Sequence, residues 1–344
     1  MDKRQLMADA KFYEAYSRFD ESLNRYETWP EAVARVMNMH RSFLGPKLTP
    51  ELSNLLAEVE DAYASKQILG AQRALQFGGQ QLLKHQARMY NCSSSYCDRP
   101  DFFGEAFYLM LCGCGVGFSV QHHHVAKLPA ISKRNGQSKE FIVPDSIEGW
   151  AQAIDVLMSS FFVGGGKHPE YEGRKIYFNL EKIRPKGSFI SGGFKAPGPE
   201  PLRLALDKAE ALIKSELAAG RTTLRPIVAY DITMFIADAV ISGGVRRSAT
   251  ICLFSKDDQE MMKAKTGDWF VTNAQRGRSN NSCVLLRDST TRAELDEIMK
   301  SVQDVGEPGF IFSDDLEALY NPCVEIGMRG YTDDGRSGFQ FCNL

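Results

Sequence analysis

Six residues late in the chain, Asn321-Pro322-Cys323-Val324-Glu325-Ile326, set a thiol between a carboxamide and a carboxylate, each two positions away. A carboxylate can take a proton, a carboxamide can hold a hydroxyl, and a cysteine can be redox-active. Pro322 donates no ladder hydrogen bond, so the stretch reads as a short extended loop rather than the middle of a central strand. In extended backbone, alternate side chains project to one side, and Asn321, Cys323 and Glu325 are expected to face one ligand. Taken alone, the hexapeptide reads equally as a buried cysteine between two capping polar residues.

The elements that must position these residues fall into two regions. Residues 1–70 read as helices: Leu6, Phe12, Tyr16 and Phe19 recur near the helical period, as do Leu52, Leu55, Leu56, Val59 and Tyr63. From residue 71 onward the character is α/β. Strand-like runs at 117–120, 175–180, 250–254, 282–286 and 310–312 alternate with helical patterns at 201–217, 227–240 and 292–302, which implies parallel strands and crossover helices. A more polar insertion is expected at about 122–182. Glycine-rich turns recur, and two carry cations: Gly243-Gly244-Val245-Arg246-Arg247 and Ile183-Arg184-Pro185-Lys186-Gly187. Exposed N–H groups beside guanidiniums suit phosphate or a nucleotide.

Lys plus Arg total 41 against 43 for Asp plus Glu, so no bulk field recruits nucleic acid or an anionic membrane. The longest apolar run, about 106–120, is broken by glycines and is shorter than the roughly 20 residues that span a bilayer. A cytoplasmic protein is expected. Its eight cysteines then are not a secreted disulfide scaffold, and their spacings fit no zinc ribbon. Cys97, Cys112, Cys114, Cys252 and Cys283 read as small buried hydrophobes. His122-His123-His124 reads as a polar loop after a strand, because three consecutive side chains cannot all converge on one ion. No metal site is expected.

Cys92 in Asn91-Cys92-Ser93-Ser94, Cys323 in its hexapeptide and Cys342 in Phe341-Cys342-Asn343-Leu344 together resemble a ribonucleotide reductase catalytic subunit, of the adenosylcobalamin-dependent (class II) triphosphate-reducing type found in bacteria and phages. Collinear motifs extend the resemblance from about residue 70 onward. They are Gly115-Val116-Gly117-Phe118-Ser119-Val120, Asp145-Ser146-Ile147-Glu148-Gly149-Trp150, Gly198-Pro199-Glu200-Pro201-Leu202, Ser279-Asn280-Asn281-Ser282 and Gly306-Glu307-Pro308-Gly309, with the two cationic turns between them.

The resemblance implies a ten-stranded α/β barrel, here lacking its C-terminal part, behind an N-terminal helical segment. It implies that a thiyl on Cys323 abstracts the ribose 3′-hydrogen, that Glu325 takes the 3′-OH proton and that Asn321 holds a ribose hydroxyl. Cys92 and Cys342 would supply two electrons and a proton, ending as a disulfide. Asn91, Ser93 and Gly115 would line the substrate. Arg184, with Asp98 or Asp101, would meet a dNTP or ATP effector, and Gly243, Gly244, Arg246 and Arg247 would relay its identity. Adenosylcobalamin is the implied cofactor, although no Asp-x-His-x-x-Gly motif is present. Thioredoxin or a similar dithiol is the implied reductant; a complementary C-terminal fragment and a homodimer are further expected partners. Two alternatives stand: a catalytically idle nucleotide-binding fragment, and a diphosphate reductase that uses a separate radical-generating subunit.

Overall fold

Pro30 and Pro50 stand in the first turns of helices Trp29–Leu44 and Pro50–Ala64, where a missing N–H leaves no helical bond unmade. With Lys3–Ala15 and Gln72–Phe77 these helices bury Phe12, Val36, Met37, Tyr63 and Leu75 in one core. We describe the protein from a computed structural model, over residues 3–190, 194–241 and 249–343. The chain divides into two units, Met1–Asn91 with Asn343–Leu344, and Cys92–Cys342. The first unit runs past residue 70 because Leu75, Phe77 and Leu82 add their side chains to its core.

The second unit is built on one sheet. Its strands are β1 (Cys92–Tyr96), β2 (Gly115–Ser119), β3 (Thr250–Ser255), β4 (Ser279–Leu286), β5 (Gly309–Ser313) and β6 (Gln340–Cys342). They lie in the order β5-β4-β3-β2-β1-β6, with β6 antiparallel to β1 and every other neighbour parallel. All five residues of β1 and of β2 are buried, as expected for parallel strands covered on both faces.

Helix α1 (Phe102–Leu111) carries β1 over to β2. Helices α2 (Ile147–Phe161), α3 (Glu200–Ala218) and α4 (Pro226–Ile241) lie between β2 and β3, and α5 (Arg292–Val305) between β4 and β5. Within residues 122–182, Ser138–Ile142 and Lys175–Asn179 pair with each other away from the main sheet, whereas α2 is buried along most of its length against α1.

That helix pair is close because of Gly104, where a Cβ would stand 2.0 Å from Asp155 Oδ1. Asp155 is buried; Lys167 Nζ lies 3.0 Å from its Oδ2, while Oδ1 has no hydrogen-bond partner. Burial pushes its carboxyl up to about 6, with Lys167 opposing. An acid whose folded pKa exceeds its unfolded value of 3.8 binds more protons when folded, so stability falls as pH rises between them. Urea unfolding should show a loss of about 2 kcal/mol from pH 4 to pH 6 at this site, and Asp155→Asn should flatten that slope.

Candidate active site

Strand β1 is the platform of the site. Alternation puts Cys92, Ser94 and Tyr96 on one face, and residues 317–323 lie along that face. Tyr96 Oη donates to the Glu317 carbonyl at 2.6 Å, and Ser94 Oγ donates to the Tyr320 carbonyl at 3.0 Å. On β2, Gly115 and Gly117 stand in register with Cys92 and Ser94. A Cβ at Gly115 would be 3.2 Å from both Cys92 Sγ and Pro322 Cγ; one at Gly117 would be 2.0 Å from the Tyr320 carbonyl oxygen. The two glycines therefore mark a close approach of one backbone to another. Leu319–Tyr320 pairs antiparallel with Gly327–Met328, and the hairpin's connection is Asn321-Pro322-Cys323-Val324-Glu325-Ile326.

That connection is a tight turn, which corrects the extended run expected from the sequence. The Val324 N–H donates to the Asn321 carbonyl at 2.8 Å, and the Ile326 N–H donates to Asn321 Oδ1 at 3.1 Å. Val324 sits at φ +63°, a left-handed conformation that a β-branched residue adopts only under constraint. Pro322 and this inverted residue fold the backbone, so Asn321 points inward and is buried while Cys323 and Glu325 are exposed at the tip. Asn321 Nδ2 is buried with no acceptor in full hydrogen-bond geometry, although the Cys92 sulfur lies nearby.

Strand β6 returns beside β1 with Cys342 directly opposite Cys92. Opposed Cα atoms in an antiparallel ladder are about 4.5 or 5.5 Å apart, inside the roughly 4.4–6.8 Å a disulfide spans. Both cysteines are buried free thiols. Burial pushes the Cys92 thiol up to about 12, reinforced by Cys323, Cys114 and Cys342 and opposed by the Asn321 amide. Burial also raises Cys342, as do Glu325 and Cys323 beside it. The fold thus gathers Cys92, Cys323, Cys342, Asn321 and Glu325 into one cluster. Its two buried sulfurs keep their protons at neutral pH and can give them up with electrons.

The remaining expected positions are spread more widely. Ser93 Oγ donates to the Gly115 carbonyl at 3.1 Å, tying β1 to β2, and Asn91 immediately precedes β1. Asp98 accepts from Ser337 Oγ at 2.7 Å and from Arg99 at 3.3 Å, and so secures the approach to β6; Asp101 directly precedes α1. Arg184 Nε donates to Asp145 Oδ2 at 2.6 Å. Gly243, Gly244, Arg246 and Arg247 lie outside the described residues. Ser94, Tyr96 and Gly117 were missed as anchors of the loop. Their only trace in the sequence is the alternation Cys92-x-Ser94-x-Tyr96 opposite Gly115-x-Gly117.

The fold, a parallel-rich sheet with a thiol-bearing hairpin on its face, is similar to that of a class II ribonucleotide reductase. A solved structure described as a B12-dependent (class II) ribonucleotide reductase superposes with a TM-score of 0.74 and 23% identity, over 93% of this chain and 53% of that one. In sequence, the chain is 28% identical to the adenosylcobalamin-dependent ribonucleoside-triphosphate reductase of Lactobacillus leichmannii and 26% identical to that of Lactobacillus acidophilus, in each case over 93% of this chain and 50% of the relative. A probable reductase of the same description from Dictyostelium discoideum is 26% identical over 56% of this chain and 26% of its own. No protein-family model matches. The chain spans about half the length of the curated Lactobacillus relatives it matches. Among the described residues, no helix is long and apolar enough to cross a membrane.

Mild oxidation should join Cys92 to Cys342, read as a linked peptide pair by mass spectrometry and absent in Cys92→Ser. Gly117→Ala should cost about 1–3 kcal/mol in urea unfolding, because the Tyr320 carbonyl must move aside.

Proposed function

We propose that this chain carries the thiyl-radical site of a ribonucleotide reductase that converts ribonucleoside triphosphates to 2′-deoxyribonucleotides. The observation that supports the reading most directly is the register pair Cys92–Cys342 beneath the Asn321–Glu325 turn, because it sets a two-electron dithiol beside a third, accessible thiol. When bound, adenosylcobalamin supplies the one-electron oxidation of a thiol. Cys323 fits that requirement: it is the one exposed cysteine, at a loop tip that a bulky cofactor can reach from solvent.

The residues then divide the work. The Cys323 sulfur takes the hydrogen atom from C3′, and Glu325 accepts the 3′-OH proton. The Asn321 amide, buried and short of an acceptor, holds a ribose hydroxyl. The 2′-hydroxyl leaves as water with a proton from the buried pair. Cys92 and Cys342 give up two electrons and two protons in all and become a disulfide, Glu325 returns its proton to the 3′-oxygen, and Cys323 returns its hydrogen atom to C3′. The net change is ribonucleotide plus two thiols to deoxyribonucleotide, water and a disulfide.

An external dithiol such as thioredoxin must then reduce the pair for a further turnover. Allosteric control by a nucleoside triphosphate belongs to the same proposal. Arg184 is oriented by Asp145 through one nitrogen, and its side chain is 42% exposed and open to a phosphate.

The test is incubation with adenosylcobalamin, a dithiol and a nucleoside triphosphate, with deoxynucleotide measured by chromatography. Cys323→Ser should abolish product, and Glu325→Gln should lower kcat about 10²–10⁴-fold, as loss of a general base does. Nucleotide binding without any Cys323-dependent product would instead identify an idle nucleotide-binding fragment.

A further inference from the structure

Two of the three consecutive histidines do converge, on a residue far along the chain. His123 Nε2 lies 2.8 Å from Glu317 Oε1, and His124 Nε2 lies 3.0 Å from Glu317 Oε2. The three ligand atoms are all within 4.8 Å of one another. Adjacent side chains on a helical turn ordinarily diverge by about 100°, so their meeting on one carboxylate needs a cause. Part of it lies behind the rings. His124 is fully buried, its Nδ1 is 2.8 Å from Ser119 Oγ, and the Gln121 amide donates to that same oxygen at 3.2 Å. Tyr96 packs on the His124 ring at a centroid distance of 4.4 Å. His122 turns away, toward Asp257 at 3.5 Å.

We infer that His123, His124 and Glu317 form a binding site for a zinc-like divalent transition-metal ion, separate from the thiol cluster. Two imidazoles and one carboxylate are a donor set that zinc and its first-row neighbours accept, whereas magnesium and calcium prefer all-oxygen shells. Ligands about 2.0–2.1 Å from a tetrahedral ion stand about 3.3 Å apart. The two histidines now contact different oxygens of Glu317, and the three ligand atoms, all within 4.8 Å of one another, would draw together to that spacing by side-chain rotation. The ion would take the Nε2 positions that now face the carboxylate, and each neutral imidazole would then carry its hydrogen on Nδ1. A second nitrogen fixed by a hydroxyl is the outer-shell arrangement that orients a ligating histidine. His123 is 38% exposed, which gives the ion a path in and leaves a coordination position for water.

The site has a structural consequence. Glu317 begins the segment whose carbonyls Tyr96 and Ser94 hold, and Asn321 follows four residues later. A bound ion would staple the turn after β2 to the base of the Cys323 hairpin.

The test is a titration of the metal-free chain with Co²⁺, followed by visible absorption. The expected result is a single site whose d–d bands appear without sulfur-to-metal charge transfer, together with a rise in Tm. His123→Ala and Glu317→Gln should each weaken binding by more than about tenfold, the least expected when a ligand itself is lost. His122→Ala should bind as the wild type does. Because His123 is partly exposed, its variant should fold even if a change at buried His124 does not. A charge-transfer band lost in Cys323→Ser would place the ion at the thiols and overturn the inference. So would binding that His123→Ala and Glu317→Gln leave unchanged, or no binding at all.

Discussion

Residues 317–323 lie flat across β1 and β2, and the thiol site depends on that contact. It exists because two positions on β2 carry no side chain. Where Gly117 faces the Tyr320 carbonyl, the 2.0 Å available to a Cβ is far below any van der Waals separation. The facing positions on β1 supply hydroxyls, from Ser94 and Tyr96, that satisfy the loop's carbonyls. A buried loop would otherwise leave backbone acceptors without partners, at a cost of about 1–3 kcal/mol each. Space on one strand and donors on the other thus allow an irregular segment to be packed onto a sheet face.

The placement of the sulfurs follows. With the hairpin fixed, Pro322 rests over Gly115 and Asn321 turns inward beside Cys92. The strained Val324 then carries Cys323 and Glu325 out to the tip. On the other side of β1, β6 adds a short antiparallel strand whose register sets Cys342 against Cys92. A slip of one residue would send Cys342 to the opposite face and leave Cys92 beside Phe341 or Asn343. The hydrogen bonds of Asp98 with Ser337 and of Ser95 with the Gly338 carbonyl hold the approach to β6 and guard that register. Burial raises both thiols above their ordinary range and so keeps them protonated.

Much of the framework was legible without coordinates. The strand-like runs at 250–254 and 310–312 became Thr250–Ser255 and Gly309–Ser313, and the helical patterns at 201–217 and 292–302 became Glu200–Ala218 and Arg292–Val305. Short-range periodicity carries that information, because burial on one face repeats every two or 3.6 residues. Less legible was the limit of the helical unit, which extends to Asn91, because what holds Leu75 and Leu82 there is packing with residues much earlier in the chain.

By itself, the sequence determined which residues are able to do chemistry, a thiol between an amide and a carboxylate and two more cysteines far from it, while the run of histidines read only as a polar loop. The tertiary structure decided which of them meet. It turned the expected extended loop into a tight turn, because hydrogen bonds to Asn321 and the inverted backbone at Val324 are favoured only once the loop lies on the sheet. It also set Cys342 opposite Cys92 and Glu317 between His123 and His124. Pairings across some two hundred residues leave no periodic trace in a single chain, since they are fixed by strand register and close backbone approach rather than by local preference.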